Sequence, residues 1–237
     1  MKPLVLLALL PALTASVFAA DLGKLIFQDD FNRTESKPDI EDIGNGWSTN
    51  SKSRAKGDKQ VALQDGAMRI YISARADHSV TVTHAAEFTD GAVTLRFMLE
   101  DEKDSLGLDF ADPQCKEVHA GHLCAAVVNP KQVVMIDHKT GGMRLDIHDA
   151  RTDKKELTDE QKKALVGKSK NVPHATEVGK WHELQVMIQG DEISVAIDGQ
   201  DVGSFHSPGI AHPTKRQLRF SVPRNAVVDD VKIYSKS

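Results

Sequence analysis

The chain has 237 residues, 40% of them hydrophobic and 27% charged, with a formal charge of −4. That balance excludes a disordered or fibrous chain, and the mild acidity argues against general nucleic-acid binding, which needs a concentrated basic surface. Two cysteines are too few for a disulfide-scaffolded miniprotein, so stability must come from a buried core.

The first predicted feature is an export leader over residues 1–20. A basic start at Lys2, an apolar stretch over residues 4–10 and small residues up to a cut near Ala19 or Ala20 give the pattern. The stretch is too short and interrupted to span a membrane, and no later segment is long enough to do so. The expected mature chain, residues 21–237, is therefore exported, periplasmic or extracellular, with no membrane span and no nucleic-acid partner.

Short alternating runs follow. In residues 67–73, Met68, Ile70 and Ile72 alternate with Arg69 and Tyr71; Val80-Thr81-Val82-Thr83 comes next; then Val93, Leu95, Phe97 and Leu99 share a face. Such runs, separated by Gly, Asp, Asn and Pro, predict an all-β, two-sheet antiparallel sandwich. Glu100-Asp101-Glu102-Lys103-Asp104 then ends a strand. Alternation places Glu100, Glu102 and Asp104 on one face if the strand continues, whereas a solvated turn is the other reading.

Residues 115–124 gather Cys115, His119, His122 and Cys124. The donor set would suit zinc, an oxidising space favours a Cys115–Cys124 disulfide, and unpaired thiols are the third alternative. In the disulfide case His119 and His122 project from a tight loop, where one could act as a general base. In residues 143–148, alternation puts Arg144, Asp146 and His148 on one face of a strand and Met143, Leu145 and Ile147 on the core side.

Residues 151–180 break the strand pattern with seven lysines and few large apolar side chains. Thr158 with Gln161 reads as a capping box and Gly167 as a helix end, which predicts a short helical excursion. From Trp181 onward Leu184, Val186 and Ile188 alternate, then Ile193, Val195 and Ile197, with turns at Gly190-Asp191 and Asp198-Gly199. Trp47 and Trp181 could stack on a sugar, but Trp181 opens a strand and is expected in the core instead. His212 and Lys215 fall in a loop over residues 205–216, and strands at 218–222 and 227–234 close the chain.

The stretch from Trp181 to Gly199, with Asp29-Asp30-Phe31, Gly44-Asn45-Gly46-Trp47 and the final run Val228 to Tyr234, resembles concanavalin A-like lectin and glucanase jelly rolls. Within them the chain is similar to the 3-keto-disaccharide hydrolase-like family. It departs from that family at residues 103–108, where an Asn-Ser-Gly is usual, and at residues 221–225, where a Gln-x-His-Gly is usual. The resemblance implies one jelly-roll domain over residues 21–237 that takes a saccharide ligand.

The chemistry it implies is elimination or hydration at a 3-keto-glycoside. His119 or His122 would take the proton beside the ketone, and Arg144 or a divalent metal ion would stabilise the enolate; no cofactor is otherwise required. On the concave sheet of such a jelly roll Arg144, Asp146 and His148 would form a sugar-binding stripe, the other reading being an ordinary solvated sheet face; His212 and Lys215 could bind an anionic or keto sugar, or belong to a stiff surface loop. A non-catalytic glycan-binding or cell-surface module is the alternative. A third reading is a glucanase using Glu100 and Glu102, although retaining glucanases of this fold carry Glu-x-Asp-x-Glu.

Overall fold

The computed structural model describes residues 21–37 and 39–236; the leader expected at residues 1–20 lies outside them. In chain order the elements are β1 (Lys24–Asp29), β2 (Ser48–Thr49), the single-turn α1 (Ser51–Arg54), β3 (Val61–Gln64), β4 (Ala67–Tyr71), β5 (Val80–Phe88), β6 (Gly91–Met98) and β7 (Leu106–Ala111). A 3₁₀ turn at His119–Gly121 leads into β8 (His122–Asn129) and β9 (Gln132–Asp137). Then come α2 (Leu145–Thr152), α3 (Asp159–Leu165), β10 (Ser169–Pro173), β11 (His182–Gln189), β12 (Glu192–Ile197), β13 (Gln200–His206), β14 (Lys215–Val222) and β15 (Asn225–Ser235).

The strands form two antiparallel sheets. One runs β13, β12, β11, β6, β15, β4, β3, with β1 added on β15; the other runs β10, β9, β8, β7, β14, β5, β2. Alternation decides which side chains meet between them. Val93, Leu95 and Phe97 of β6 and Leu184, Val186 and Ile188 of β11 share one core with Leu106, Leu108 and Phe110 of β7 and Leu218, Phe220 and Val222 of β14. A residue of the other parity on β7 or β14 must then look outward from the seven-stranded sheet.

The two N-terminal motifs lock together through one carboxylate. Buried Asp29 accepts from Trp47 Nε1 at 2.8 Å, Asn45 Nδ2 at 3.0 Å and Arg33 at 2.6 and 3.0 Å. Burial raises its pKa, and these donors with the Phe31 amide outweigh that and hold it below the usual carboxylate range.

Two sequence expectations change. Residues 145–152 are helix α2, not a strand, so the Arg144–Asp146–His148 stripe does not exist as a strand face. The excursion over 151–180 does hold a helix, α3, with the Thr158–Gln161 capping box formed, but it also supplies β10, which pairs with β9 at the sheet edge. Among the described residues no helix is long and apolar enough to cross a membrane.

Candidate functional site

The outward parity of β7 and β14 puts Asp109 and Arg219 side by side, because the two residues are direct partners in the strand register. Beside them Gly107, Ala111 and Ala125 occupy outward positions of β7 and β8. All three are buried, as is Asp109 itself.

His122 reaches the same place through a bulge. Phe110 pairs with Cys124 but Ala111 pairs with His122, so Leu123 is the extra residue. Strict alternation would turn His122 inward with Cys124; the bulge turns it outward. The preceding turn is pinned to the end of β7 by the Asp112 amide, which donates to Gly121 O at 2.8 Å. Gly121 has φ +77°, and a Cβ there would sit 2.2 Å from Asp112 O, so only glycine fits.

The result is an oriented imidazole. His122 Nδ1 lies 2.7 Å from Asp109 Oδ2. With the Nδ1 proton given to the carboxylate, Nε2 keeps its lone pair. Arg219 Nε and Nη2 donate to Gln217 Oε1 at 3.1 and 2.7 Å, which aims Nη1 at Asp109 Oδ2, 3.8 Å away. The other oxygen, Asp109 Oδ1, is buried with no hydrogen-bond partner among the described residues. A histidine–carboxylate–guanidinium group held in this way suits proton transfer next to a developing negative charge.

Three further imidazoles surround His122. Residues 117–119 pair with 143–145: the His119 amide donates to Met143 O at 2.8 Å and the Leu145 amide to Glu117 O at 3.2 Å. That pairing starts α2 beside the 3₁₀ turn and stacks His148 on His119, with ring centroids 3.7 Å apart and planes 9° from parallel. His138 meets His122 edge to face at 5.8 Å. Burial, then the neighbouring imidazoles of His148 and His122, hold the His119 pKa below the ordinary imidazole value; burial does the same for His138.

The other sequence candidates lie elsewhere. Arg144 binds Asp146 through two bonds of 3.1 and 2.9 Å, and both line a shallow depression with Glu117, Lys139, Thr140 and Leu145. His212 Nε2 is 3.1 Å from Asp112 Oδ2, which also accepts from Arg216 at 2.7 Å. Lys215 is no sugar ligand: it is fully buried, and its Nζ donates to the carbonyls of Thr89 and His212 at 2.8 and 2.9 Å. Glu100 and Glu102 sit in the turn after β6, with Glu100 gripped by Arg69 at 2.7 Å, so no carboxylate pair of the glucanase kind forms there.

The expected Cys115–Cys124 disulfide is absent, and both thiols are free. Cys124 points into the core between the sheets, whereas Cys115 packs with Val118, Leu123 and Met143 on the outer side of β8. The sheet itself separates the two sulfurs. The same separation dismantles the zinc reading, and among the described residues no group of three His, Cys, Asp or Glu is placed to hold a metal ion.

Sequence reasoning missed Asp109, Arg219, Gln217 and His138. The signal available was a lone charge inside an apolar run, Leu106-Gly107-Leu108-Asp109-Phe110 and Leu218-Arg219-Phe220.

Solved structures with the same arrangement of strands were found. They include SCLam, a non-specific endo-β-1,3(4)-glucanase from family GH16, at 15% identity, covering 90% of this chain and 91% of that one with a TM-score of 0.58. The laminarinase from Rhodothermus marinus matches at 13% identity, 90% and 97% coverage and a TM-score of 0.58. The laminarinase from Flavobacterium sp. UMI-01 matches at 14% identity, 89% and 100% coverage and a TM-score of 0.56. The fold is a two-sheet antiparallel jelly-roll β-sandwich like theirs. Identity this low speaks for the fold and not for the activity. No protein-family model matches the sequence, and no curated protein does.

Proposed function

We propose that this is an exported, carbohydrate-active protein that binds a saccharide on the outer face of the seven-stranded sheet. There His122 removes a proton from the carbon next to a carbonyl, with a 3-keto-glycoside as substrate. The observation that carries this reading is the 2.7 Å contact between His122 Nδ1 and Asp109, beside Arg219. The likeness to structures described as glucanases and laminarinases supports a saccharide ligand.

The ketone at C3 acidifies the C2 proton, so a neutral imidazole suffices as base. His122 Nε2 takes that proton while Asp109 stabilises the imidazolium that forms. The enolate oxygen is held by the guanidinium of Arg219, which takes the part first expected of Arg144. The C1–oxygen bond then breaks, the C1–C2 double bond forms, and the departing glycosidic oxygen receives a proton from the imidazolium. Adding water across the double bond would complete a net hydrolysis.

The test is proton NMR of a methyl 3-keto-glucoside in D₂O with the purified protein. Loss of the C2 proton signal and release of methanol are expected. His122→Ala should lower that rate by about 10²–10⁴-fold, and Asp109→Asn should lower it with the fold unchanged. A His122→Ala protein that turns over at the wild-type rate, or line broadening without product in the wild type, overturns the catalytic reading; the second outcome assigns a binding module.

A further inference from the structure

We propose that the opposite side of the sandwich, the outer face of the eight-stranded sheet, carries a second saccharide site in which a neutral pyranose stacks on Trp181. This site is separate from His122 and does not depend on its chemistry.

Trp181 was expected in the core, but 37% of it is exposed. The reason is parity. His182 pairs with Phe97 and Leu184 with Leu95, both inward positions, so residue 181 falls on the outward side with Glu183. The chain thus places its larger aromatic type on a solvent-facing sheet surface, where it contributes little to the core.

The indole is braced. The Arg96 guanidinium stands 4.7 Å from its ring centroid, and Arg96 is itself held by Asp229 at 3.2 Å and Asp230 at 3.8 Å. A ring fixed before binding loses little freedom when a ligand arrives. Beyond the indole lies a depression of about 240 Å³ lined by Trp181, Met98, Val227 and Ala67, with Gln64, Asp65 and Arg69 also at its wall. Arg69 is fixed by two bonds of 2.7 Å to Glu100.

That combination selects the ligand class. The C–H face of a pyranose packs on the electron-rich face of an aromatic ring, and an apolar strip of Met98, Val227 and Ala67 continues that surface. Gln64 offers both donor and acceptor, Asp65 accepts and Arg69 donates, which matches hydroxyl groups that do both. The cations there are already paired, Arg96 with Asp229 and Asp230 and Arg69 with Glu100, so an anionic sugar finds no free positive charge. The space suits one sugar unit of a chain, not a peptide helix.

The sequence has two tryptophans. Trp47 is buried, so a ligand-induced change in emission reports on Trp181. Titration of the full chain with laminarihexaose, cellohexaose and hexa-N-acetylchitohexaose is expected to shift or quench the emission with at least one of them. Trp181→Ala should weaken that binding at least tenfold by calorimetry, and Trp181→Tyr should recover part of it; circular dichroism checks that both variants are folded. Binding is read without turnover, so failure of the 3-keto chemistry leaves this result untouched. The proposal is overturned if none of the three hexamers changes the emission, if folded Trp181→Ala binds as tightly as wild type, or if oligogalacturonate binds more tightly than every neutral hexamer.

Discussion

Leu123 and Cys124 are neighbours on β8 that belong to different hydrophobic clusters, one outside the sheet and one inside. Complete burial in apolar surroundings pushes the Cys124 thiol up to about 12, and the nearby Lys215 ammonium only partly opposes this. A thiol with that pKa forms almost no thiolate at neutral pH and is inert. Treating the native protein with a thiol-reactive chromogenic disulfide should therefore give no fast reaction from Cys124, and unfolding in guanidinium without reductant should release two thiols per chain. A count of zero after unfolding would mean that the sulfurs are bonded and that the sheet does not separate them. Lys215 is a second case in which one residue type misleads: a lysine in a polar loop sequence reads as a ligand, yet its ammonium is buried and held by two backbone carbonyls.

At the scale of elements, legibility tracked how local the signal was. The hairpin between β12 and β13 was readable because Asp198 and Gly199 take φ values of +52° and +73°, the left-handed pair that a tight turn needs. The capping box of α3 was readable for the same reason. Helix α2 was not, since a six-residue alternation fits a strand as well as one helical turn. Its state is decided by residues 117–119, which pair with 143–145 and end the extended stretch. Asp109 was hidden for a related reason: its partner Arg219 lies far along the chain, and His122 reaches it only through a bulge that leaves no mark in the sequence. Helix α2 is held down by Ile147, its single buried side chain. Ile147→Ala should cost about 2–5 kcal/mol in denaturant unfolding and should loosen the His119–His148 stack, visible as shifted imidazole resonances. A cost within about 0.5 kcal/mol, with those resonances unmoved, would show that α2 does not depend on that contact.

Across the whole molecule, burial of histidine sets a pH window for stability. His84 stacks on Phe27 at 3.6 Å and packs beside Trp47 near the N-terminal clamp, while His119 and His138 stand around the candidate site. Burial, first in each case, depresses the pKa of all three below the ordinary imidazole value of 6.5. A depressed folded pKa means that the unfolded chain takes up protons first, so stability is complete above about pH 6.5 and falls as pH drops from there toward the folded values. The buried carboxylates act lower down. Burial raises Asp29, Asp112 and Asp137, and their hydrogen bonds outweigh it and leave each below 3.8, so their contribution is lost only as pH falls under that value. Two separate acid steps are expected, the first from histidines and the second from carboxylates. At constant ionic strength the thermal midpoint should fall between pH 7.5 and pH 5.5, by about 2–4 °C for each kcal/mol lost in a chain of this size. His138→Gln should shrink that fall whatever it does to the absolute midpoint, because a glutamine has no proton to gain. A midpoint that is flat or rising over the same interval would mean that the three imidazoles are not kept neutral by burial. A fall of unchanged size in His138→Gln would place the proton uptake on the other two histidines.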